Sequence, residues 1–190
     1  MVTQAIIPLA GLGTRLLPLS SVIPKELLPI NGKPNLEYIL DECLEAGIKQ
    51  FIFIVPKNRP SIKKYFFNDN FYKKILKKKK NDKRLMKVFK RLKKFQKMIK
   101  FVYQNKPEGT GHAVLQCKKY LKGTHFLMLL ADDLIIKRNC SKEMIAIHKR
   151  TKASVIATKK VKKNTVSRWG ILGFKKKHGN FFLINKVIEK

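Results

Sequence analysis

Apolar and polar positions follow one another in blocks that predict an α/β protein. Residues 5–9 and 51–55 are apolar runs of strand length, and the second is rich in β-branched and aromatic residues, which is typical of a parallel strand buried on both faces. Between them, apolar residues recur at intervals of three and four from Leu36 to Leu44, which predicts an amphipathic helix. The order strand, loop, helix, strand is that of a parallel sheet.

The same alternation continues toward residue 158. Further helices are predicted over 60–67, 114–121 and 141–149. Further strands are predicted over 101–103, 126–136 and 153–158. The tail differs, because residues 166–174 and 180–188 are joined by the turn Lys177-His178-Gly179-Asn180 and predict a β-hairpin. We expect a single domain over 1–190.

Charge is distributed unevenly over this pattern. The chain has 43 Lys and Arg against 12 Asp and Glu, a formal net charge of +31, and residues 68–100 hold fifteen of the cations against two Asp. Apolar stripes of helical spacing run through that segment, so we interpret it as a basic helical insertion of one or two amphipathic helices with a solvated basic face. Because Lys, Ile, Phe and Asn are all abundant, we attribute the excess charge to compositional bias and do not expect a nucleic-acid partner.

The cysteines and the apolar runs indicate where the chain resides. Cys43, Cys117 and Cys140 have no Cys-x-x-Cys spacing, so they favour neither a disulfide framework nor a zinc site and fit a reducing cytoplasm. The N-terminus lacks the basic region of a signal peptide, and the apolar run 126–131 is too short to span a bilayer. We expect a cytoplasmic protein with no membrane partner.

The first candidate for chemistry is a glycine loop directly after the first predicted strand, in residues 4–29, QAIIPLAGLGTRLLPLSSVIPKELLP. Gly11 and Gly13 allow positive φ and bring backbone N–H groups close to an anion, and Arg15 adds a fork of donors for phosphate oxygens. The spacing fits neither a dinucleotide fingerprint, which needs a glycine where Leu16 stands, nor a P-loop. The sequence therefore predicts a phosphate-handling loop of another kind.

Two further stretches point to the same chemistry. The glycine loop QNKPEGTGHA, residues 104–113, precedes a predicted helix and favours an anion or nucleotide site, with a plain strand-to-helix turn as the alternative. Asp132 and Asp133 lie within the apolar stretch 126–136, and carboxylates at the carboxyl end of a parallel strand lie where α/β sheets bind ligands. Their oxygens suit Mg²⁺, with a capping or turn role as the alternative. His112 is more readily interpreted as structural than as catalytic.

Five stretches, in the same order, resemble the bacterial UTP–glucose-1-phosphate uridylyltransferases of the sugar-1-phosphate nucleotidyltransferase family. They are AGLGTR with PKELLP, GKPNLEYIL, QNKPEGTGHA, LADDLI, and WGIL followed by VIEK. The resemblance covers essentially the whole chain. It implies a doubly wound, mostly parallel α/β sheet of the nucleotide-diphospho-sugar transferase type, Rossmann-like, with a basic helical excursion and a C-terminal β-hairpin. It also implies the reaction of UTP with glucose 1-phosphate to give UDP-glucose and pyrophosphate, and it allows a homo-oligomer.

The resemblance further implies residue roles. Arg15 is expected to grip the β- and γ-phosphates, Lys25 the α-phosphate and the incoming sugar phosphate, and Asp132 to ligate Mg²⁺. The residues expected to bind the nucleotide are Ala10, Gly11, Gly13, Glu26, Gln104, Gly109 and Gly111. The residues expected to bind the sugar are Gly170, Glu189 and Lys190.

Family members continue beyond the position of Lys190, so the resemblance implies either a fragment of a longer gene product or a version of the protein shortened at its C-terminus. We then expect weak or absent turnover from the 190 residues alone, because a metal carboxylate and part of the sugar pocket are missing. One alternative is a non-catalytic nucleotide-sugar-binding or regulatory homologue, against which the presence of both Arg15 and Lys25 argues. A thymidylyl- or cytidylyltransferase is another, disfavoured by Glu26. The third is a basic nucleic-acid-binding protein.

Overall fold

The computed structural model describes residues 1–80, 82–104, 106, 108–179 and 181–189. The chain forms two compact units, Met1–Val155 and Ile156–Lys190. The first contains a parallel sheet with helices, and the second contains a β-hairpin. The expectation of a single domain over 1–190 stays a prediction.

The sheet of the first unit is doubly wound. The strands of this unit are β1 (Gln4–Pro8), β2 (Pro29–Ile30), β3 (Lys33–Pro34), β4 (Gln50–Pro56), β5 (Ile99–Gln104) and β6 (Leu127–Met128). Four of them form a parallel sheet in the order β5-β4-β1-β6, while β2 and β3 pair as a short antiparallel ribbon. The chain builds outward from β1 through β4 to β5 and then crosses to the other side of β1 for β6. This reversal confirms the predicted topology.

Helices connect these strands. They are α1 (Asn35–Glu45), α2 (Ser61–Phe67), α3 (Asp69–Lys78), α4 (Lys83–Met98), α5 (Thr110–Leu115) and α6 (Cys140–Thr151). The basic insertion is thus two helices, α3 and α4, and the helix expected over 114–121 begins earlier and ends sooner than predicted. Within the described residues, no helix is long and apolar enough to cross a membrane.

Strand residues alternate between two hydrophobic cores, one on each face of the sheet. The larger core packs one set of strand side chains against α1, α2, α4 and α6, and its fully buried aromatic members are Phe51, Phe53, Phe66 and Phe95. The smaller core packs the other set against α5 and the turn after it, and its members are Ile6, Ile52, Ile54, Val102, Ala113 and Cys117. Because both faces are covered, β4 is apolar throughout, as its sequence predicts.

Two predicted strands differ in the structure. The strand expected over 126–136 is confined to Leu127–Met128, and the chain turns at residues 131 and 132. The Ala131 carbonyl there accepts a hydrogen bond from the side-chain amide of Asn35 at 2.7 Å, instead of from a neighbouring strand. Residues 153–158, all of them described, lie in neither helix nor strand. Ile156 in that segment is 58% exposed, so the apolar residues of 153–158 do not indicate a buried strand.

The second unit is built on a hairpin of β7 (Ile171–His178) and β8 (Phe181–Ile188). A 3₁₀ helix at Lys163–Arg168 precedes it, so the first strand begins later than the predicted residue 166. Across the hairpin Phe174 stacks on Phe182 with ring centroids 4.7 Å apart. The predicted hairpin is confirmed, although Asn180 of its turn lies outside the described residues.

A buried carboxylate fastens α4 to the body of the first unit. Glu37 of α1 accepts hydrogen bonds from the Tyr65 hydroxyl at 2.5 Å and from Arg91 Nε at 2.7 Å. The second arm of Arg91 donates to Asp41 at 2.7 Å, and Lys33 also pairs with Asp41. Because the Glu37 side chain is only 8% exposed, its charge depends on these donors.

Replacing Arg91 with Ala is expected to lower the free energy of unfolding by about 2–3 kcal/mol, because Glu37 then keeps a buried charge with its main cationic donor removed. Chemical denaturation at neutral pH measures the change. Arg84→Ala is the matched control, since Arg84 lies on the same helix and is exposed, and it should change stability by less than about 0.5 kcal/mol. Equal effects of the two substitutions would show that α4 is not held by this ion cluster.

Candidate active site

The candidate site lies at the carboxyl ends of β1 and β6, where the winding of the sheet reverses. The first glycine loop, residues 10–13, follows β1, and the turn that carries Asp132 follows β6. In open α/β sheets this reversal leaves a crevice between the two loops, and ligands bind there. The sheet topology therefore brings together two of the three stretches singled out from the sequence.

The glycine loop is held in a left-handed turn. Gly13 has φ 66° and ψ 33°, and its carbonyl accepts hydrogen bonds from Leu16 N at 2.9 Å and from Ser20 Oγ at 2.8 Å. A Cβ on Gly13 would lie 3.2 Å from the Ser20 Cβ, so glycine is needed here for space as well as for φ. Ser20 is buried and was not predicted from the sequence, where one hydroxyl in an apolar loop gives little signal.

Lys25 lies across this loop and reaches the far side of the crevice. It opens a short 3₁₀ turn, Lys25–Leu27, and a Cβ on Gly11 would lie 3.8 Å from its Nζ. The Lys25 Nζ donates to Asp132 Oδ2 at 2.6 Å, with side chains 23% and 54% exposed. The structure thus joins the predicted catalytic lysine and the predicted metal ligand, which are 107 residues apart in sequence. Because the pair is open to solvent, a phosphate or a cation has access to either partner.

Asn35 positions the turn that carries Asp132. It is the first residue of α1, its backbone N–H donates to Leu28 O at 3.0 Å, and its side-chain amide donates to Ala131 O at 2.7 Å. Its Oδ1 is buried and lacks a hydrogen-bond partner in the described part of the chain. The sequence analysis missed Asn35, because its contact with Ala131 spans 96 residues.

Glu26 places a buried acid beside the lysine. The side chain is 2% exposed, and burial raises the pKa of this carboxyl above its usual 4.5. The neighbouring Asp132 also raises the pKa, whereas a hydrogen bond to its own backbone, Lys25 and Arg59 lower it. A buried carboxyl with a raised pKa in a crevice is a frequent feature of functional sites.

A histidine of the second glycine loop contacts a buried glutamine at the end of β5. Gln104 ends β5 and is 7% exposed, and its amide lies 3.2 Å from His112 Nδ1. The other ring nitrogen of His112 lies 2.8 Å from the amide of Gln116, so the imidazole has a glutamine side chain next to each of its nitrogens. The structure therefore supports the structural interpretation of His112, and Gln116, one helical turn further on, is its unpredicted support.

The glycines of the second loop differ in what they require. Gly109 has φ 93° at the N-terminus of α5, a conformation that favours glycine. A Cβ on Gly111 would meet no atom within 4 Å, so packing within this chain does not demand glycine there. Asn105 and Pro107 of the predicted loop lie outside the described residues.

The remaining predicted residues fall in two places. Arg15 is exposed in the 3₁₀ turn Thr14–Leu16, directly after the first glycine loop. In the second unit, Gly170 and Glu189 are neighbours, because a Cβ on Gly170 would lie 3.0 Å from Glu189 Oε2. Lys190 lies outside the described residues.

The donors present suit a metal ion that arrives with its substrate. No cluster of three or more His, Cys, Asp or Glu occurs among the described residues, so those residues form no complete metal cage. Asp132 offers one exposed carboxylate at the crevice. Mg²⁺ is commonly held by one or two carboxylates together with substrate phosphates, and this donor set fits such an ion.

The fold agrees with what comparisons with known proteins find. Over 190 residues the chain is 34% identical to UTP–glucose-1-phosphate uridylyltransferase 2 of Staphylococcus saprophyticus, covering all of this chain and 65% of that protein. A UTP-bound UGPase from Acinetobacter baumannii superposes with a TM-score of 0.83 at 30% identity, over all of this chain and 68% of that one. A UDP-glucose pyrophosphorylase complexed with UDP-glucose gives 0.82 at 27% identity, over all of this chain and 69% of that one.

The chain thus spans slightly less than two thirds of the length of the first of these relatives. The resemblance stated from the five sequence stretches is confirmed by these matches. A family model described as nucleotidyl transferase matches residues 4–190, so the chain belongs to the nucleotidyl transferase family.

Proposed function

We propose that this chain binds UTP and glucose 1-phosphate and joins them to give UDP-glucose and pyrophosphate. The observation that carries the proposal is the placement of Lys25 over the first glycine loop and in contact with Asp132, at the crevice of a doubly wound sheet. The relatives support the choice of substrates, since one is named a UTP–glucose-1-phosphate uridylyltransferase and another is a UGPase with UTP bound.

The chemistry needs charge and alignment more than covalent help. An oxygen of the sugar phosphate forms a bond to the α-phosphorus of UTP, the bond from that phosphorus to the bridging oxygen breaks, and pyrophosphate leaves with the electron pair. The attacking oxygen is already anionic at neutral pH, so no general base is required. The protein has to hold two anions in line and neutralise them.

The residues at the crevice supply what this step requires. Backbone N–H groups of the glycine loop and the Arg15 guanidinium bind the phosphates of the nucleotide. Lys25 exchanges its carboxylate partner, Asp132, for the α-phosphate and the incoming sugar phosphate. Asp132, released from the lysine, would hold Mg²⁺ together with substrate phosphates, and the ion would supply further positive charge to neutralise them.

Other residues select the base and the sugar. We assign the uracil and ribose contacts to Gln104, which lies beside His112, and to Gly109, Gly111 and Glu26. In the second unit, Gly170 and Glu189 form the contacts for glucose hydroxyls, together with Lys190. A Cβ on Gly170 would lie 3.0 Å from Glu189 Oε2, so the carboxylate lies directly beside this glycine.

We also propose that the protein works in the cytoplasm. Cys43, Cys117 and Cys140 are free thiols. Burial raises the pKa of Cys43 to about 12 and that of Cys117 to about 11, which keeps both thiols protonated and unreactive at neutral pH. Free, inert thiols fit a reducing compartment.

Lys25→Ala is expected to lower kcat by about 10²–10³-fold, because a preorganised positive charge is lost where negative charge accumulates. Pyrophosphate release from UTP, glucose 1-phosphate and Mg²⁺ measures the rate. Lys57→Ala is the matched control, since it removes an exposed lysine just after β4, at the same edge of the sheet, and should keep the wild-type rate. Equal losses in both variants would refute the proposed role of Lys25. Because weak or absent turnover is expected from the 190 residues alone, UTP binding is measured on the same variants, and equal UTP affinity of Lys25→Ala and Lys57→Ala would likewise refute that role.

Asp132→Asn is expected to raise the Mg²⁺ concentration needed for half-maximal rate by about tenfold or more. The chain supplies its own control in Asp133→Asn, an adjacent exposed carboxylate without the lysine contact, which should leave that concentration unchanged. A magnesium titration at saturating UTP compares the two variants. If Asp133→Asn shows the larger shift, the metal ligand has been assigned to the wrong carboxylate.

Glu26→Gln is expected to raise thermal stability at neutral pH while weakening UTP binding by about tenfold or more. Burial is the main cause that raises the pKa of Glu26. The ionised carboxylate therefore destabilises the folded state at pH values above its usual pKa of 4.5. The gain in stability should therefore shrink as pH falls toward 4.5. Thermal unfolding across this range, with and without UTP, separates the two effects. A variant less stable than the parent at pH 7 would contradict the argument.

A further inference from the structure

The helix α4 carries a straight row of lysines along one side. Lys83, Lys87, Lys90, Lys94 and Lys97 are separated by four, three, four and three residues. At 100° per residue these positions fall within a sector of about 80°, and at 1.5 Å per residue the row is about 21 Å long. All five side chains are exposed.

The body of the first unit fixes the direction in which this row points. The opposite side of α4 is buried, with Leu92 and Phe95 each 1% exposed, and Phe89 stacks on Tyr72 of α3 with centroids 5.9 Å apart. Arg91 adds the ion pairs to α1. The row is therefore presented to solvent by a packed helix and does not depend on a flexible arm.

The surroundings of the row add positive charge and leave little negative charge. Additional exposed cations lie on α3, in the turn to α4 and at the start of α4, and they are Lys73, Lys74, Lys77, Lys78, Lys79, Lys80 and Arg84. The two acids of the segment are engaged elsewhere. Asp69 accepts hydrogen bonds from Lys93 and from Gln96, and Asp82 caps α4 by accepting from Leu85 N at 2.9 Å.

We propose that this lysine row is a binding surface for nucleic acid, recognised through its phosphates and without sequence preference. A duplex carries one charge per about 1.7 Å of its axis with both strands counted, so about 21 Å of duplex alongside the row carries about a dozen phosphates, and those on the near side face the row. The cations are also concentrated here, because fifteen of the 43 cations of the chain fall in these 33 residues and five of them share one line. The sequence-based expectation of no nucleic-acid partner rested on composition, which does not reveal this alignment.

An anionic membrane is the less favoured occupant. Amphipathic helices bind membranes by burying their apolar side among the lipid headgroups. In α4 that side is committed to the core through Leu92 and Phe95, so only the electrostatic part of such binding remains. This surface is independent of the candidate active site, and its test does not depend on transferase activity.

The test compares three forms of the full chain by fluorescence anisotropy, with labelled 20-nucleotide single-stranded RNA, the same length of duplex DNA, and anionic vesicles. One variant changes the five row lysines to Gln. The control variant changes five exposed lysines elsewhere in the first unit to Gln, for the same net charge, and these are Lys49, Lys118, Lys122, Lys142 and Lys149. Circular dichroism and thermal unfolding verify that both variants are folded.

The unaltered chain is expected to bind nucleic acid with a micromolar Kd at about 0.1 M salt, and weaker as salt rises. The row variant should lose about 100-fold or more in affinity, and the slope of log affinity against log salt concentration should become smaller by about four. The control variant should keep most of the affinity and most of the slope. Equal losses in the two variants would show a response to net charge alone and overturn the proposal. So would absence of binding near 0.1 M salt, or tighter row-dependent binding to vesicles than to either nucleic acid.

Discussion

The contact between Lys25 and Asp132 is the interaction that several other features of the first unit support. An exposed ion pair of this kind contributes at most about 1 kcal/mol to stability, so stability does not explain why so many features converge on it. The reversal of winding at β1 brings together the loop after β1 and the turn after β6. The hydrogen bond from Ser20 to Gly13 shapes the glycine loop next to the lysine, and Asn35 anchors the turn that carries the aspartate. Under the proposed function such support is expected, because the two charges would separate to receive anions and a cation.

Stability and function are supplied by different parts of this unit. On one side of the sheet, α1 and α4 share a buried carboxylate with two donors, above the larger of the two cores. At the crevice, the segment after β1 leaves apolar side chains in water, with Leu12 62% and Val22 78% exposed, and Glu26 carries a charge that burial disfavours. Features that weaken a fold are tolerated where ligands bind, and here they lie within a short stretch around the glycine loop.

What the sequence could predict follows from how local each signal is. The apolar run of β4 and the three-four spacing of α1 encode burial directly, so these elements and the parallel arrangement were predicted from the pattern. The glycine loop and Asp132 were predicted because their chemistry is visible in residue type and order. Ser20, Asn35 and Gln116 were missed, since each acts through a side-chain contact that periodicity does not encode. The strand predicted over 126–136 is wrong beyond Met128, because the Asn35 amide bonds the Ala131 carbonyl at the turn.

Electrostatics also explains why the lysine row stands out from the other cations. Lys25, Lys33 and Arg91 each face a carboxylate, so their charges are balanced within the fold. Along α4 the row instead sets like charges at spacings of three and four, and each such pair destabilises a helix by about 0.2–0.5 kcal/mol. The four neighbouring pairs together cost about 1–2 kcal/mol, which the burial of Leu92 and Phe95 can outweigh. A bound polyanion would convert that repulsion into attraction, so occupancy of the row and stability of α4 are thermodynamically linked.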